Sequence, residues 1–95
     1  MNKKQIAEEL DRTATLLYQN SEEAGYGAFV ALLPQIQSMG DAAMEKCAED
    51  ATASASVELF LKSLYGELVE SYEAKDILLL ADCLKYKASV LLEFV

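Results

Sequence analysis

The carboxylates are the side chains of this chain whose spacing could support chemistry. Sixteen Asp and Glu residues occur in 95 positions, and two rows of them recur at helical spacing, so that each row would share one helix face. The first row is Glu67, Glu70 and Glu73, and the second is Asp41, Glu45 and Glu49. Either row could hold a hard cation, which prefers oxygen ligands. An acidic helix face open to water is the more ordinary interpretation, so we predict no metal site and no cofactor.

The chain contains no histidine, which removes the commonest general base and the commonest metal ligand. Nucleophile systems of the Ser-His-Asp or Cys-His type are excluded, as are carboxylate-bridged di-iron sites that need Glu-x-x-His on two helices. The sequence also lacks the alternating Asp loop of an EF-hand and the glycine-rich loops that bind phosphate. We therefore predict that the protein is not an enzyme.

Two cysteines, Cys47 and Cys83, are too few to close a zinc site without other soft ligands. In the helical arrangement predicted below they would lie about 30 Å apart, which is beyond the reach of a disulfide. Both are predicted to be small buried hydrophobes.

The formal net charge of −8 argues against binding to nucleic acid, which requires clustered Lys and Arg, and against adsorption to an anionic membrane. Residues 1–12 lack the apolar segment of a signal peptide. The last nineteen residues are apolar but carry four charged side chains, and each charge at mid-membrane costs about 2.5–3.5 kcal/mol. We therefore expect a cytoplasmic protein with reduced cysteines.

Apolar residues at helical spacing divide the chain into four predicted helices in a single domain. The first spans about residues 3–18 and opens with a capping box. The second is capped by Asn20 and runs to about residue 47. We expect a kink at Pro34, which lacks the donor for one backbone hydrogen bond; two short helices broken at Pro34 or at Gly40 are the alternative. The predicted buried face of this second helix comprises Tyr26, Val30, Leu33, Ile36, Met39 or Gly40, Ala43 and Cys47.

The third predicted helix follows a loop at residues 49–54, in which Thr52 or Ser54 provides the cap. It runs to about residue 74 and contains Gly66, which weakens a helix by about 1 kcal/mol relative to Ala. The missing side chain at Gly66 would allow close packing by a neighbouring helix.

The last predicted helix, residues 77–95, follows a tight reversal capped by Asp76 and is apolar on two flanks. A narrow polar strip comprises Asp82, Lys85, Ser89 and Glu93. One apolar flank carries Leu80, Leu84, Ala88, Leu91 and Val95, and the other carries Leu79, Cys83, Tyr86, Val90 and Phe94. Because short connections make consecutive helices antiparallel neighbours, we predict an all-α, up-down-up-down four-helix bundle. One flank is then core, and the other is either core or the surface through which the protein acts.

Residues 72–86 read YEAKDILLLADCLKY. This segment resembles Y/L-E-x-x-D-Y-x-L-L-A-D-x-L-E-Y-E, which precedes the last helix in small bacterial all-helical proteins of unknown function. Ile77 stands where an aromatic residue is common, and Lys85 and Lys87 stand where acids are common. Residues 16–20 and 22–26 also resemble such proteins. The resemblance implies a helical bundle and no known activity. A looser, fold-level similarity is to flagellar export chaperones of the flagellin-binding kind.

We predict a protein that acts by protein–protein interaction or by self-association, with neither nucleic acid nor membrane as a partner. The candidate interaction surface lies on the last helix and comprises Leu80, Leu84, Tyr86, Leu91, Phe94 and Val95. If the bundle leaves one flank uncovered, a homodimer through the last helix would cover it. The alternative is a helix-binding export chaperone or adaptor for a secreted or motility protein. Its groove would be rimmed by some of the five tyrosines.

Overall fold

A computed structural model of the protein describes residues 2–94, so Val95 of the predicted interaction surface lies outside the described residues. The protein is an all-α four-helix bundle, as predicted, and no strand occurs within residues 2–94. The first three helices are α1 (Lys3–Tyr18), α2 (Glu22–Lys46) and α3 (Ala51–Glu73). A final helical run, residues 77–94, supplies the fourth. The up-down-up-down order of the helices stays a prediction.

The final helical run changes its hydrogen-bonding pattern along its length. It begins as α4 (Ile77–Asp82), continues as a π-helical segment (Cys83–Ala88), returns to α-helix in α5 (Ser89–Leu91) and ends as a 3-10 turn (Leu92–Phe94). The sequence pattern predicted a helix here but not this change. In a π-helix each backbone bond spans five residues instead of four, and such segments occur frequently at functional sites.

Two helix starts have the caps that the sequence predicts. At the start of α1 the Asn2 side chain accepts a hydrogen bond from the Gln5 amide at 2.9 Å, and the Gln5 side chain accepts one from the Asn2 amide at 3.0 Å. This reciprocal pair is the capping box. At the start of the final run Asp76 accepts from the Leu79 amide at 3.1 Å.

Two other predicted caps are wrong. Asn20 has a φ of 58°, in the left-handed region that Asn tolerates better than most residues, and it follows the end of α1 instead of capping α2. Helix α3 begins before Thr52 and Ser54, because Asp50 caps it by accepting a hydrogen bond from a backbone amide at 3.1 Å.

Helix α2 runs without a break through Pro34, so the alternative of two short helices is wrong. The kink expected at Pro34 stays a prediction. The buried face of α2 is as predicted in the second half of the helix, at Ile36, Met39, Gly40 and Ala43. It differs in the first half, where Phe29 and Leu32 are buried and Val30 is 47% exposed. Apolar residues surround much of this helix, so periodicity alone does not select between two adjacent faces.

Close packing around a glycine occurs in α2 and not at Gly66. A Cβ added at Gly66 would have nothing within 4 Å, so the close neighbour predicted there is wrong. A Cβ added at Gly40 would overlap the Tyr65 hydroxyl and would lie 3.2 Å from Cδ2 of Leu61. The absence of a side chain at Gly40 therefore lets α3 approach α2.

The core lies between the helices, and each of them contributes an inward face. Helix α1 packs against α2 and against the final run, and α3 also packs against both. The largest fully buried apolar side chains are Leu17, Phe29, Ile36, Leu64, Leu68, Leu80, Leu84 and Leu91. Three of these eight belong to the final run, and each fully buried leucine stabilises the fold by about 1.5–3 kcal/mol. The final run is therefore a main stabilising element of the bundle.

Candidate functional site

The final helical run has a buried face and an exposed face, and the predicted interaction surface is divided between them. Leu80, Leu84 and Leu91 are fully buried in the core. The structure corrects the prediction for these three residues, because a buried side chain cannot contact a partner while the bundle stays closed. Tyr86 is 61% exposed and Phe94 is 39% exposed, so these two residues do lie at the surface.

Leu79 is an exposed apolar residue that the predicted interaction surface omitted. It lies in the first turns of the final run and is 45% exposed. The sequence did carry a signal for it, since Leu79 and Tyr86 stand seven residues apart on the same predicted flank. The flank chosen for most of the predicted interaction surface was the one that contains Leu80, and its described residues, Leu80, Leu84, Ala88 and Leu91, are buried in the core.

Leu79 and Tyr86 line a shallow hollow of about 220 Å³ between α3 and the final run. The other residues that line it are Glu67, Asp82, Cys83 and Lys87. Five of these six residues lie within residues 79–87, which cover the end of α4 and most of the π-helical segment. The hollow is therefore built mainly by one helical run, with α3 providing the opposite wall.

An ion pair joins α3 to the π-helical segment at this hollow. The ammonium group of Lys87 donates to Oε1 of Glu67, and both side chains are partly exposed. A partly exposed ion pair stabilises a fold by at most about 1 kcal/mol, so its main effect here is on position. It holds the Glu67 carboxylate against the final run and cancels its charge.

The two cysteines differ in their surroundings, and both are free thiols. Cys83 is buried as predicted, with Sγ 3.8 Å from Oε2 of Glu67. Burial, reinforced by the Glu67 charge, raises the pKa of the Cys83 thiol to about 11, so the thiol stays protonated at neutral pH and is a poor nucleophile. Cys47 is only partly buried, and its thiol donates to the carbonyl oxygen of Ala43 at 3.2 Å.

On the other side of the final run, α1 contributes Tyr18 to the same surface. The Tyr18 hydroxyl donates to the Asp82 carboxylate. That hydrogen bond, with a smaller effect of burial, raises the pKa of Tyr18 to about 12. The Lys85 ammonium lies 5.8 Å from the centre of the Tyr18 ring and 5.6 Å from that of Tyr86, within the range of a cation–π contact. These contacts join Tyr18, Asp82, Lys85 and Tyr86 into one surface.

We call the surface formed by Tyr18, Leu79, Asp82, Lys85 and Tyr86 the outer face. Its charged groups already have partners within the chain. Asp82 accepts from Tyr18, and Lys85 lies over two aromatic rings. The outer face therefore combines Leu79 and two tyrosine rings with two charged side chains that are held by contacts within the chain.

Charge is distributed unequally between the two sides of the bundle. Helix α1 carries three basic and three acidic residues, and the final run carries two of each. The whole net charge of −8 therefore falls on α2, α3 and the connection between them. Because α1 and the final run pack against each other, they form a neutral side that contains the outer face, and α2 and α3 form an acidic side.

The two rows of carboxylates do not come together as a cation site. Within residues 2–94, no group of three or more Cys, Asp or Glu side chains is placed to hold a metal ion. Glu67 is turned toward Lys87, while Glu70 and Glu73 are exposed. Asp41, Glu45 and Glu49 of the other row are exposed as well.

Phe94 lines a different hollow from Tyr86. Its ring centre lies 6.0 Å from that of Phe60, and it closes one side of a hollow of about 410 Å³ between the end of α2 and the start of α3. Cys47 and Val57 also line this hollow. Phe94 and Tyr86 therefore belong to separate hollows, although both were predicted to share one interaction surface.

Comparisons with protein-family models, with curated proteins and with solved structures found no match to this chain. Among the helices described for residues 2–94, none is both long enough and apolar enough to cross a membrane. The function is therefore best derived from the chemistry of the outer face, because a helical bundle alone does not specify an activity.

Proposed function

We propose that this protein acts by protein–protein interaction through the outer face of its final helical run. The observation that carries the proposal is the exposure of Leu79 and Tyr86 on a helical run whose opposite face is fully buried. Leu80, Leu84 and Leu91 of the same run are fully buried in the core, so they contribute more to stability than these two exposed side chains do. Their apolar surface is available to a partner.

The residue types of the outer face support binding. Tyr and Arg are enriched at interfaces, where an aromatic ring gives a large contact area for few rotatable bonds. The Lys85 ammonium makes cation–π contacts with the rings of both Tyr18 and Tyr86. The hollow beside Tyr86 can receive a side chain of the partner, as anchor pockets do in other interfaces.

The same groups support binding better than catalysis. The Cys83 thiol, which lines the hollow, is held in its protonated form, and thiolate is the reactive species. Glu67 and Lys87, which also line the hollow, form an ion pair with each other. We propose a cytoplasmic location as well, which accords with the two free thiols.

Affinity capture from the native host tests this proposal. The bait proteins are the wild type, Leu79→Lys, Tyr86→Ala and the control Leu59→Lys, whose position on α3 is 71% exposed and outside the outer face. We expect a protein, or the untagged chain itself, to be retained by the wild type and the control and lost with both outer-face variants. Capture that is identical for all four baits would contradict the proposal.

The identity of a captured protein separates the two predicted roles. A secreted or motility protein that binds through an amphipathic helix would favour the chaperone or adaptor alternative. Recovery of the chain itself would favour self-association.

A further inference from the structure

We propose that the hollow beside Phe94 is a second binding site, which takes a basic segment of a partner protein and receives one apolar side chain of that segment. The hollow is separate from the outer face, so the site goes beyond the proposed function. Three features of this hollow, called the Phe94 hollow below, lead to the proposal: its apolar lining, its open shape and the acidic charge around it.

The lining of the Phe94 hollow is mostly small or apolar. The hollow has a volume of about 410 Å³ and lies where the end of α2, the start of α3 and the end of the final helical run meet. Ala43 of α2 and Ala53 of α3 have short side chains, which leave room between the two helices, while Val57 and Phe94 add larger apolar surface. An apolar side chain that enters this space loses contact with water, which favours its binding.

The open shape of the hollow suits a side chain of a larger partner better than a small molecule. Lys46, Ser56, Glu93 and Phe94 line the hollow and are all exposed. A small-molecule site usually encloses about 70–90% of the surface of its ligand, which walls as exposed as these do not. A protein partner can insert one side chain and cover the rim of the hollow with its other residues.

Acidic groups border the Phe94 hollow. Glu93 lines it directly. Asp50 lies between two other lining residues, because its amide donates to the Cys47 carbonyl at 3.0 Å and its carboxylate accepts from the Ala53 amide at 3.1 Å. Two carboxylates, one from the final run and one from the connection between α2 and α3, are therefore held at the edge of an apolar space.

The charge around the hollow selects a basic partner. Glu49, which is exposed next to Asp50, adds a third carboxylate, and Lys46 brings one positive charge. Helices α2 and α3 and their connection also carry the whole net charge of −8. An acidic protein, a nucleic acid or a second copy of this chain would bring further negative charge to this end of the bundle. Lys and Arg side chains would instead be attracted to it.

The chemistry of the partner follows from these features. Its binding segment carries an apolar side chain, such as Leu or Phe, with Lys or Arg residues on either side. The apolar side chain lies against Val57 and Phe94, and the basic groups lie near Glu93 and Asp50. Attraction between exposed charges speeds association and is weakened by salt, whereas the enclosed apolar side chain slows dissociation.

Fluorescence anisotropy with a labelled model peptide and the purified protein tests the proposal. The probe is a short peptide of Lys and Leu with its leucines at helical spacing. One matched peptide has Glu in place of Lys, and another has Ser in place of Leu. At physiological ionic strength we expect saturable binding of the Lys–Leu peptide, affinity at least about tenfold lower for the Lys–Ser peptide and no binding of the Glu–Leu peptide. Equal binding of the Lys–Leu and Glu–Leu peptides would overturn the proposal.

Variants of the protein test where the Lys–Leu peptide binds. Glu93→Gln should lower its affinity about two- to fivefold, the effect of one exposed charge pair, and Phe94→Ser should lower it about tenfold or more. Lys46→Gln should raise the affinity, because it removes the opposing charge. The control is Glu70→Gln, an exposed acid of α3 that does not line the hollow, and it should change the affinity less than about twofold. Circular dichroism checks that each variant is folded.

Three results would contradict the site. The first is the absence of binding of the Lys–Leu peptide to the wild type. The second is equal weakening by Glu70→Gln and Glu93→Gln, which would mean attraction to the overall charge. The third is loss of binding with Tyr86→Ala, which would place the peptide at the outer face; we expect that variant to keep the affinity of the wild type. The proposed function has its own readout, the affinity capture with Tyr86→Ala.

Discussion

Leu79 and Leu80 are consecutive residues that lie on different faces of the final helical run: Leu80 is fully buried, and Leu79 is 45% exposed. The inner side holds the bundle together, and the outer side presents apolar surface with Tyr86. Stability and binding are therefore carried by different residues of one helical run. Substitutions on the inner side should change the free energy of unfolding, and substitutions on the outer side should change association.

Truncation of the inner side should destabilise the protein strongly. Leu84→Ala and Leu91→Ala should each lower the free energy of unfolding by about 2–5 kcal/mol, because both side chains are fully buried and their loss leaves cavities. The matched control Leu59→Ala, at a position that is 71% exposed, should change it by no more than about 0.5 kcal/mol. Urea unfolding measures all three, and losses below about 1 kcal/mol for both core variants would place the final run outside the core.

Substitution by Ala at two helical glycines should change the stability of the protein in opposite directions. Gly66→Ala should stabilise the protein by about 1 kcal/mol, because an added Cβ would meet nothing within 4 Å. Gly40→Ala should destabilise it, since the added Cβ would overlap the Tyr65 hydroxyl and force that side chain to move. The midpoints of thermal unfolding of the two variants and the wild type measure both effects. A higher midpoint for Gly40→Ala than for the wild type would contradict the prediction, because it would mean that Tyr65 moves without destabilising the fold.

The sequence predicted those features of the fold that depend on a few neighbouring residues. The caps at Asn2 and Asp76 need only a side chain and an amide three residues on, so their spacing was sufficient. The choice between Phe29 and Val30 in α2 was wrong, because both are apolar and the core decides which one turns inward. Local pattern is therefore informative for helix ends and weak for the orientation of a largely apolar helix.

The final helical run also shows that local sequence pattern does not determine which face of an apolar helix is buried. Tyr86 was predicted as a surface residue and is exposed, but Leu80 and Leu84 were assigned to that surface and are buried. The sequence showed two apolar flanks and could not say which one the other helices would cover. The contacts of Tyr18 with Asp82 and of Glu67 with Lys87 join residues that are far apart in the chain, and no local pattern marks such pairs.

The hydrogen bond from Tyr18 to Asp82 should make stability depend on pH in the alkaline range. It raises the pKa of Tyr18 from 10.0 to about 12, so the folded chain holds the phenol proton more tightly than the unfolded chain does. The resulting stabilisation is complete below pH 10 and is lost as the pH rises from about 10 to about 12.

Tyr18→Phe removes the hydroxyl that donates to Asp82, so a comparison with the wild type measures the stabilisation by this hydrogen bond alone. The difference in urea midpoint between the wild type and Tyr18→Phe should be constant below pH 10 and should shrink as the pH approaches 12. Tyr86→Phe, which removes an exposed hydroxyl, is the matched control. A difference that grows with rising pH would contradict the assigned hydrogen bond.

The two thiols should react with an alkylating reagent at very different rates in the folded protein. Cys83 is buried and its pKa is raised to about 11, so it should react only when the bundle opens. Cys47 is only partly buried and should react first. Mass spectrometry of the wild type, Cys47→Ala and Cys83→Ala follows the labelling of each thiol separately. In urea, which unfolds the protein, both thiols should react. Rapid labelling of Cys83 in the folded protein would show that this thiol is not buried.

The most direct test of the outer face as a self-association surface is an isotope-filtered NOE measurement on an equal mixture of ¹³C-labelled and unlabelled protein. In such a sample only contacts between different chains give filtered signals. Self-association through the outer face predicts signals between the methyl groups of Leu79 in one chain and the ring protons of Tyr86 in another. An absence of signals at Leu79, or intermolecular signals confined to exposed residues of α2 and α3 such as Val30 and Leu59, would contradict self-association through the outer face.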